Sequence, residues 1–255
     1  NSRAQRHAAQ ALASIGDLEG PALDQLARAL QDARPDVRRN AALALRNVGG
    51  GGAVLVESLA AALHDLTNKA RTRRNAAQSL GKLGAVAISA TSALAVAAAD
   101  ESGDVRRRAI EALGLVGAAA ADAYRCTGAS AVSAAEDSSD GFLTGVLSDA
   151  LLRDSDVIVR EAAALALMRV DVAIQTLGGG TARSRERAAE TLSTALSRDQ
   201  SAVVRKISAW ALGAIWPKAQ SDNHAVTAGF ESRLLLLAET LSSDLSPDVR
   251  RNAAD

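Results

Sequence analysis

The stretch Asp36-Val37-Arg38-Arg39-Asn40-Ala41-Ala42-Leu43-Ala44-Leu45, which leads on to Val48 and Gly49, recurs along this chain. Its apolar positions are Val37, Ala41, Ala44, Leu45 and Val48. This spacing places them on one stripe of an α-helix. Asp36 stands where a helix N-cap belongs, and Gly49 accepts the left-handed conformation that ends a helix. The stretch therefore predicts an amphipathic helix, which we name helix B.

Copies of helix B follow one another along the 255 residues. The residues aligned with Val37 are Ala4, Val37, Thr72, Val105, Val159, Val204 and Val249, at steps of 33, 35, 33, 54, 45 and 45 residues. A second apolar helical pattern, helix A, precedes each complete copy. One helix pair cannot bury its own apolar face, whereas stacked pairs can. We therefore predict an all-α fold, an α-solenoid (superhelix) of about six to seven two-helix repeats.

The composition supports helices and limits the partners. Hydrophobic residues make up 48% of the chain and aromatic residues 2%, so the apolar content is mostly Ala, Leu and Val, which with only 4 prolines favours helix. The 29 basic and 29 acidic side chains cancel, whereas nucleic-acid-binding domains usually carry a basic excess. Nucleic acid is therefore disfavoured. No apolar run reaches the roughly 18 residues of a membrane span. The single cysteine favours a reducing compartment, such as the cytoplasm or an organelle interior.

The repeats predict one array over residues 1–255. Residues 118–141 depart from the period, because they expand one step to 54 residues and are rich in Ser, Asp and Ala. We predict an irregular insertion there, which contains Tyr124 and Cys126. Both ends of the chain fall inside a helix B, so we expect the array to be a segment of a longer chain.

The phrase D-V-R-x-x-A-a-x-A-L-x-x-V-G resembles the HEAT repeat, particularly the short form of phycobilin lyases and related proteins. The resemblance covers nearly the whole chain and implies the solenoid fold. HEAT proteins include phosphatase scaffolds, transport receptors, bilin lyases, deoxyhypusine hydroxylase and a DNA glycosylase group, so the resemblance does not fix the function.

The residues offer no recognisable catalytic constellation. His7, His64 and His224 are not followed by Glu, so the His-Glu pairs of deoxyhypusine hydroxylase are absent, and no Cys/His cluster predicts a metal site. The glycine runs at 49–52 and 178–180 lack the rest of a phosphate-binding motif. We therefore predict no enzyme activity, no cofactor and no metal.

A column of arginines follows the position after Val37: Arg38, Arg73, Arg106, Arg160, Arg205 and Arg250. We call this set the arginine ladder. Resemblance to HEAT proteins implies that each ladder arginine joins an aspartate of a neighbouring repeat, with Asp36, Asp104, Asp156 and Asp248 available. The alternative is a track that binds anions.

Two further sets of helix B residues are candidates for partner binding. Arg39, Arg74 and Arg107 lie one residue after the ladder, turned away from the apolar stripe; the alternative is that they are simply solvated. Leu165, Met168 and Trp210 occupy outward positions of two successive B helices, and exposed apolar patches usually mark interaction sites. The alternative is that these side chains are buried internally.

The favoured function is a non-enzymatic scaffold or adaptor that binds one or more proteins as a subunit of a larger complex. A solenoid offers an extended binding surface for this. One alternative, resting on the resemblance alone, is a helper for chromophore attachment or assembly like the bilin lyases. A second alternative is nucleic-acid binding through the arginine columns.

Overall fold

A computed structural model describes residues 21–45, 52–127, 139–176, 182–215, 235–240, 243–244 and 246–254. The regular secondary structure of these residues is helical, as predicted. The chain divides into two compact units, Asn1–Ala131 and Val132–Asp255.

The first unit consists of two layers of helices. Its A helices are α1 (Pro21–Ala29), α3 (Ala53–His64) and α5 (Thr91–Ala97), and its B helices are α2 (Pro35–Leu45), α4 (Ala70–Leu83) and α6 (Gly103–Thr127). A 3-10 helix, Gly84–Ala90, joins α4 to α5. Each A helix packs on the next A helix and each B helix on the next B helix. Between the layers lies an aliphatic core that includes Leu30, Leu45, Leu59, Leu80, Leu94 and Leu113.

The second unit repeats this arrangement. Its A helices include α7 (Ser139–Arg153) and α9 (Ala182–Arg198), and its B helices are α8 (Val157–Thr176), α10 (Ala202–Ala214) and α11 (Pro247–Ala254). Residues 235–240 are also helical. The helix α8 packs on α10, and α10 packs on α11. The core includes Leu147, Leu151, Leu167, Leu192 and Leu212.

The apolar stripe of helix B is buried as predicted. In α6 the buried residues include Val105, Ala109, Ala112, Leu113 and Val116, each at most 1% exposed. Their spacing is that of one helix face. The local pattern therefore specifies which side of each B helix meets its neighbours.

Two predicted helix ends are corrected by the structure. Asp36 is not an N-cap, because α2 already begins at Pro35 and Asp36 lies in its first turn. There its carboxylate interacts favourably with the positive end of the helix dipole. The helix α6 does not stop at Gly117 but continues to Thr127, and Ala120 and Ala121 within this extension are buried.

The bounds predicted for the insertion at 118–141 therefore change at both ends. Residues 118–127 belong to α6, and α7 already begins at Ser139. The remaining part, residues 128–138, lies outside the described residues, as do the side chains of Tyr124 and Cys126. Alanines in 118–127 provide the helix propensity that extends α6.

One stretch within the described ranges, Ala70–Ala97, is long and apolar enough to cross a membrane by length and composition. It comprises α4, the 3-10 helix and α5, and Gly84 interrupts it with a φ of 57°. Its helices pack in the first unit, where 44% of its most apolar window is buried.

Gly81 sets the distance between α4 and α6. A Cβ atom at Gly81 would lie 3.0 Å from Ala112 Cα and 3.3 Å from Leu115 Cδ1. We expect Gly81→Ala to lower the free energy of unfolding by about 1–3 kcal/mol, because overpacking outweighs the gain in helix propensity. Urea unfolding followed by circular dichroism measures the change.

Gly213 provides the matched control, since it occupies the equivalent position of α10 and a Cβ atom there would meet nothing within 4 Å. We expect Gly213→Ala to be neutral or stabilising by up to about 1 kcal/mol. Equal effects of the two substitutions would show that the close approach at Gly81 does not limit packing.

Candidate functional site

The arginine ladder first ties each helix B to the helix A before it. The Nη1 atom of a ladder arginine donates to a main-chain carbonyl of the turn between the two helices. Arg73 donates to the carbonyl of Asn68, and the other bonds run six residues back: Arg38 to Asp32 (2.8 Å), Arg106 to Asp100 (3.0 Å), Arg160 to Asp154 (2.9 Å), Arg205 to Asp199 (2.9 Å) and Arg250 to Asp244. These bonds satisfy carbonyl groups that a helix C-terminus leaves without partners.

The same guanidinium groups also connect consecutive repeats. The Nε and Nη2 atoms donate to the two oxygens of an aspartate 27 or 39 residues further on, at these distances: Arg73 to Asp100 (2.7 and 2.9 Å), Arg160 to Asp199 (2.7 and 3.1 Å) and Arg205 to Asp244 (2.8 and 3.1 Å). Such bidentate, charge-assisted pairs are among the stronger hydrogen bonds in proteins. Each of these three arginines therefore connects the turn between the two helices of its own repeat to the corresponding turn of the next repeat.

The partners of the ladder differ from the predicted aspartates. Three of the predicted aspartates lie in the first turns of B helices: Asp36, Asp104 and Asp248. The fourth, Asp156, accepts a hydrogen bond from the main-chain N–H of Ile158. The partner is instead the aspartate six residues before the following ladder arginine. This spacing is visible in the sequence at 32/38, 100/106, 154/160, 199/205 and 244/250. The sequence pattern favours the nearer aspartates because they stand at the starts of the B helices, whereas the bridging aspartates follow the A helices.

Arg38 differs from the rungs that hold a carboxylate. Its Nε donates over 2.6 Å to the side-chain oxygen Oδ1 of Asn68, and the Nδ2 of Asn68 donates to the carbonyl of Ala62. The turn before Arg73 is longer, with Asp65 eight residues away, and Asn68 takes the bridging place. The buried Arg38, which is only 8% exposed, therefore has a neutral side-chain acceptor.

The bridging aspartates are stabilised in their ionised form. Burial opposes ionisation of Asp100, but hydrogen bonds from Arg73 and from the main-chain N–H of Ser102 hold its pKa below the ordinary 3.8. The hydrogen bond from Arg205 likewise lowers the pKa of Asp244, against burial and with help from the N–H of Ser246. The pKa of Arg73 is raised by its hydrogen bond to Asp100. The pairs are therefore charged at neutral pH.

These pKa directions predict the pH dependence of stability. A carboxylate whose pKa is lower in the folded than in the unfolded chain stabilises the fold fully above the unfolded value near 3.8, and this contribution is lost as the pH falls through the folded value. We expect the urea midpoint of Asp100→Asn to lie below that of the wild type at pH 7. The gap should narrow below about pH 4, because Asp100 is then protonated in the unfolded chain and, at still lower pH, in the folded protein.

Asp149→Asn is the control for this titration, since Asp149 lies in an exposed pair with Arg153, with side chains 62% and 80% exposed. Its midpoint should follow that of the wild type at every pH. A gap between Asp100→Asn and wild type that stays constant from pH 7 to pH 3 would contradict the assignment.

The second arginine column meets acidic side chains. A guanidinium nitrogen of Arg39 lies 2.9 Å from a carboxylate oxygen of Asp36. The corresponding distances to Asp104 are 3.6 Å from Arg74 and 3.8 Å from Arg107. Arg107 is also 3.3 Å from Glu111. Because each of these arginines is partly buried beside a carboxylate, the column does not present an uncompensated basic stripe within the described part of the first unit.

The apolar set Leu165, Met168 and Trp210 lies on adjoining B helices. Leu165 and Met168 are on α8, and Trp210 is on α10 at the position equivalent to Leu165. Leu165 and Met168 are half-buried, while Trp210 is 47% exposed. Internal burial, the alternative considered for this set, is therefore wrong for Trp210. We call Leu165, Met168 and Trp210 the apolar patch.

The sequence places two basic residues, Lys206 and Arg169, next to the apolar patch. Arg169 is exposed one turn beyond Leu165, and its guanidinium has no hydrogen bond or ion pair with other described residues. On α10 the positions equivalent to Met168 and Arg169 are Gly213 and Ala214, and both are exposed. Small residues there leave open space beside Trp210, since nothing lies within 4 Å of a Cβ atom built at Gly213.

The corresponding surface of the first unit is more polar. Gln78 of α4 and Glu111 of α6 take the place of Leu165, and Lys82 of α4 takes the place of Arg169. Leu43 of α2 and Leu115 of α6 are isolated apolar exceptions, the first half-buried and the second 38% exposed. Trp210 therefore distinguishes the second unit's B layer.

Two open clefts accompany the ladder in the second unit. One, of about 450 Å³, lies beside Arg160 and Asp199, and the other, of about 410 Å³, lies beside Arg205 and Asp244. The charged groups at the centre of each cleft are already engaged with each other. Among the described residues no three His, Cys, Asp or Glu side chains are placed to hold a metal ion. His64 is exposed in the last turn of α3, whereas His7 and His224 lie outside the described residues.

The fold formed by these helix pairs is matched by comparison with known proteins. Residues 1–81 match the HEAT repeats family. The predicted HEAT resemblance is thereby confirmed, and the remaining repeats share its fold type; no comparison confirms the narrower likeness to phycobilin lyases. A search of curated proteins finds no match.

Solved structures show the same fold over nearly the whole chain. A HEAT-like repeats protein from the archaeon Thermococcus onnurineus NA1 is 13% identical, with 100% of this chain and 94% of that chain covered and a TM-score of 0.60. An engineered protein is 18% identical over 92% of this chain and 94% of that one, with a TM-score of 0.64. A designed armadillo repeat protein in complex with the peptide (KR)4 is 18% identical over 91% and 96%, with a TM-score of 0.62. The predicted all-α solenoid fold is therefore confirmed.

Proposed function

We propose that this chain is a non-enzymatic scaffold that binds one or more proteins, as a subunit of a larger complex, through the B layer of its second unit. The observation that carries this proposal is the apolar patch, where a tryptophan is 47% exposed on a packed helix layer. Tryptophan is enriched at the centres of protein interfaces, and its truncation often causes a large loss of affinity.

The engagement of the charged residues supports the same proposal. The arginine ladder stabilises the stacked turns, and Arg39, Arg74 and Arg107 have acidic neighbours. Binding of nucleic acid would require cations that are available to phosphates. The carboxylates beside Arg39, Arg74 and Arg107 compensate these cations, which argues against a phosphate-binding role for the second arginine column.

One of the proteins with a similar fold was solved in complex with a peptide. The designed armadillo repeat protein that shares the fold forms a complex with the peptide (KR)4. Repeat solenoids present extended surfaces to other chains. By this analogy we infer that the B layer of the second unit accepts a segment of another protein.

Site-specific photo-crosslinking tests the proposal. The residue p-benzoylphenylalanine is introduced at Trp210 or, as a matched control, at Phe142, and the full chain is irradiated in cells of its native source. Phe142 has a similar exposure of 45% but lies on the A helix α7. We expect a discrete crosslinked protein from position 210 and none from position 142. Absence of a crosslink at 210, or the same product from both positions, would contradict the proposal.

A further inference from the structure

We propose that the apolar patch binds an extended acidic segment, in which an apolar side chain enters the space beside Trp210 and a carboxylate pairs with Arg169. This inference rests on the proposed function and names the chemical class of the partner. The juxtaposition that carries it is an exposed indole, an open space over Gly213 and an exposed arginine whose guanidinium has no partner among the described residues.

The space for the apolar side chain follows from the small residues of α10. Trp210 and Gly213 are three residues apart, so they lie on the same side of the helix. Because Gly213 has no side chain, open space lies next to Trp210 on this side of the helix. Met168, at the position of α8 equivalent to Gly213, is half-buried. A flexible thioether adapts well to the shape of an incoming side chain.

The sign of the partner's charge follows from Arg169. Arg169 lies one turn beyond Leu165, on the same side of α8. The acidic Glu161 on this helix lies two turns before Arg169, and Asp171 is only 5% exposed. An arginine that keeps its hydrogen-bonding capacity favours a carboxylate, which it binds with two parallel bonds.

The spacing between the two subsites suits an extended chain. Neighbouring helices pack with axes about 8–10 Å apart, and an extended chain advances about 3.3 Å per residue. In the extended polyproline II conformation, side chains three positions apart point to the same side and lie about 9 Å apart, so an apolar residue and an acidic residue at this separation span the distance from α10 to α8. A helical segment advances only about 1.5 Å per residue and would need a longer sequence to do so.

Labelled peptides test the inference directly on the full chain. The probes are fluorescein-labelled (EL)4, its charge-reversed counterpart (KL)4, the apolar-free (EG)4 and the basic (KR)4, with binding followed by fluorescence anisotropy. We expect (EL)4 to bind at least about tenfold more tightly than (KL)4 or (EG)4, and (KR)4 not to bind. Arg169→Glu should reverse the preference between (EL)4 and (KL)4.

A charge reversal elsewhere provides the control. Arg198→Glu changes an exposed arginine at the end of the A helix α9 and should leave (EL)4 binding unchanged. Trp210→Phe keeps an aromatic wall and should retain most of the affinity. If Arg169→Glu binds (EL)4 as the wild type does, or if (KL)4 binds equally well, the inference is wrong.

The crosslinking and peptide-binding experiments distinguish failure of the acidic-segment inference from failure of the proposed scaffold function. A crosslink from position 210 combined with no preference for (EL)4 would overturn the acidic segment and leave the scaffold function standing. Strong binding of (KR)4 with no binding of (EL)4 would do the same. No crosslink and no peptide binding would overturn both.

Discussion

Arg73→Ala is expected to lower the free energy of unfolding by about 3–5 kcal/mol. Arg73 and Asp100 are 2% and 4% exposed, and their closest atoms are 2.7 Å apart. Removal of the arginine leaves Asp100 buried with its hydrogen bond from Ser102 but without its cation. Breaking a buried pair by removing one partner is costly because the remaining charge is uncompensated. Urea unfolding followed by circular dichroism measures the loss.

The loss of unfolding free energy on substitution of Arg73 should depend on the geometry of the new side chain as well as on its charge. Arg73→Lys keeps a cation but cannot supply both bonds to Asp100 and the bond to the carbonyl of Asn68. We expect its stability to lie between those of the wild type and Arg73→Ala. Arg34→Ala, which removes an exposed partner of Asp32 in the same unit, should cost less than about 1 kcal/mol. Equal losses in Arg73→Ala and Arg34→Ala would show that the ladder does not contribute through its buried charges.

Trp210→Ala is expected to weaken binding of the protein partner at least about 30-fold. Truncation of a tryptophan at the centre of an interface typically costs about 2 kcal/mol or more, which corresponds to this factor. The fold should remain intact because nearly half of the side chain is exposed and the neighbouring Ala209 and Ala211 carry the buried contacts. Titration of the partner identified by crosslinking measures the affinity, and circular dichroism checks the fold.

Phe142→Ala is the matched control for Trp210→Ala. It also removes a roughly half-exposed aromatic side chain from the second unit, but on the A layer. Its affinity for the partner should stay within about threefold of the wild type, since surface residues outside an interface contribute little. Equal losses in both variants would point to a general effect on the unit, and a folded Trp210→Ala variant with unchanged affinity would place the interface elsewhere.

The helices and their buried faces were predictable because their signals are local. The positions of Val105, Ala109, Ala112 and Leu113 place them on one helix face, and all are buried. Gly84 ends α4 in the left-handed region, as a glycine after an apolar stripe predicts. Gly117 failed as an end signal because the alanines that follow it continue the helix at low free-energy cost.

The candidate site was predictable only in part. Its residues Leu165, Met168 and Trp210 follow from counting outward positions of helix B. Exposure of Trp210 does not follow, because it depends on how α8 and α10 pack and on the small side chains beside it. The position of Arg169 beside the patch also follows from the sequence, but its lack of a hydrogen bond or ion pair with other described residues depends on the tertiary structure.

The sequence by itself determined the repeat, the two-helix unit and the buried stripe of helix B, because apolar spacing and helix-ending residues act within one or two turns of chain. The tertiary structure decided which aspartate meets which arginine. Arg160 and Asp199 are 39 residues apart, and only the stacking of one repeat on the next brings their atoms to 2.7 Å. The same stacking decided that Gly81 touches α6 while Gly213 faces open space. Equivalent positions of a repeat thus differ because each one meets different neighbours.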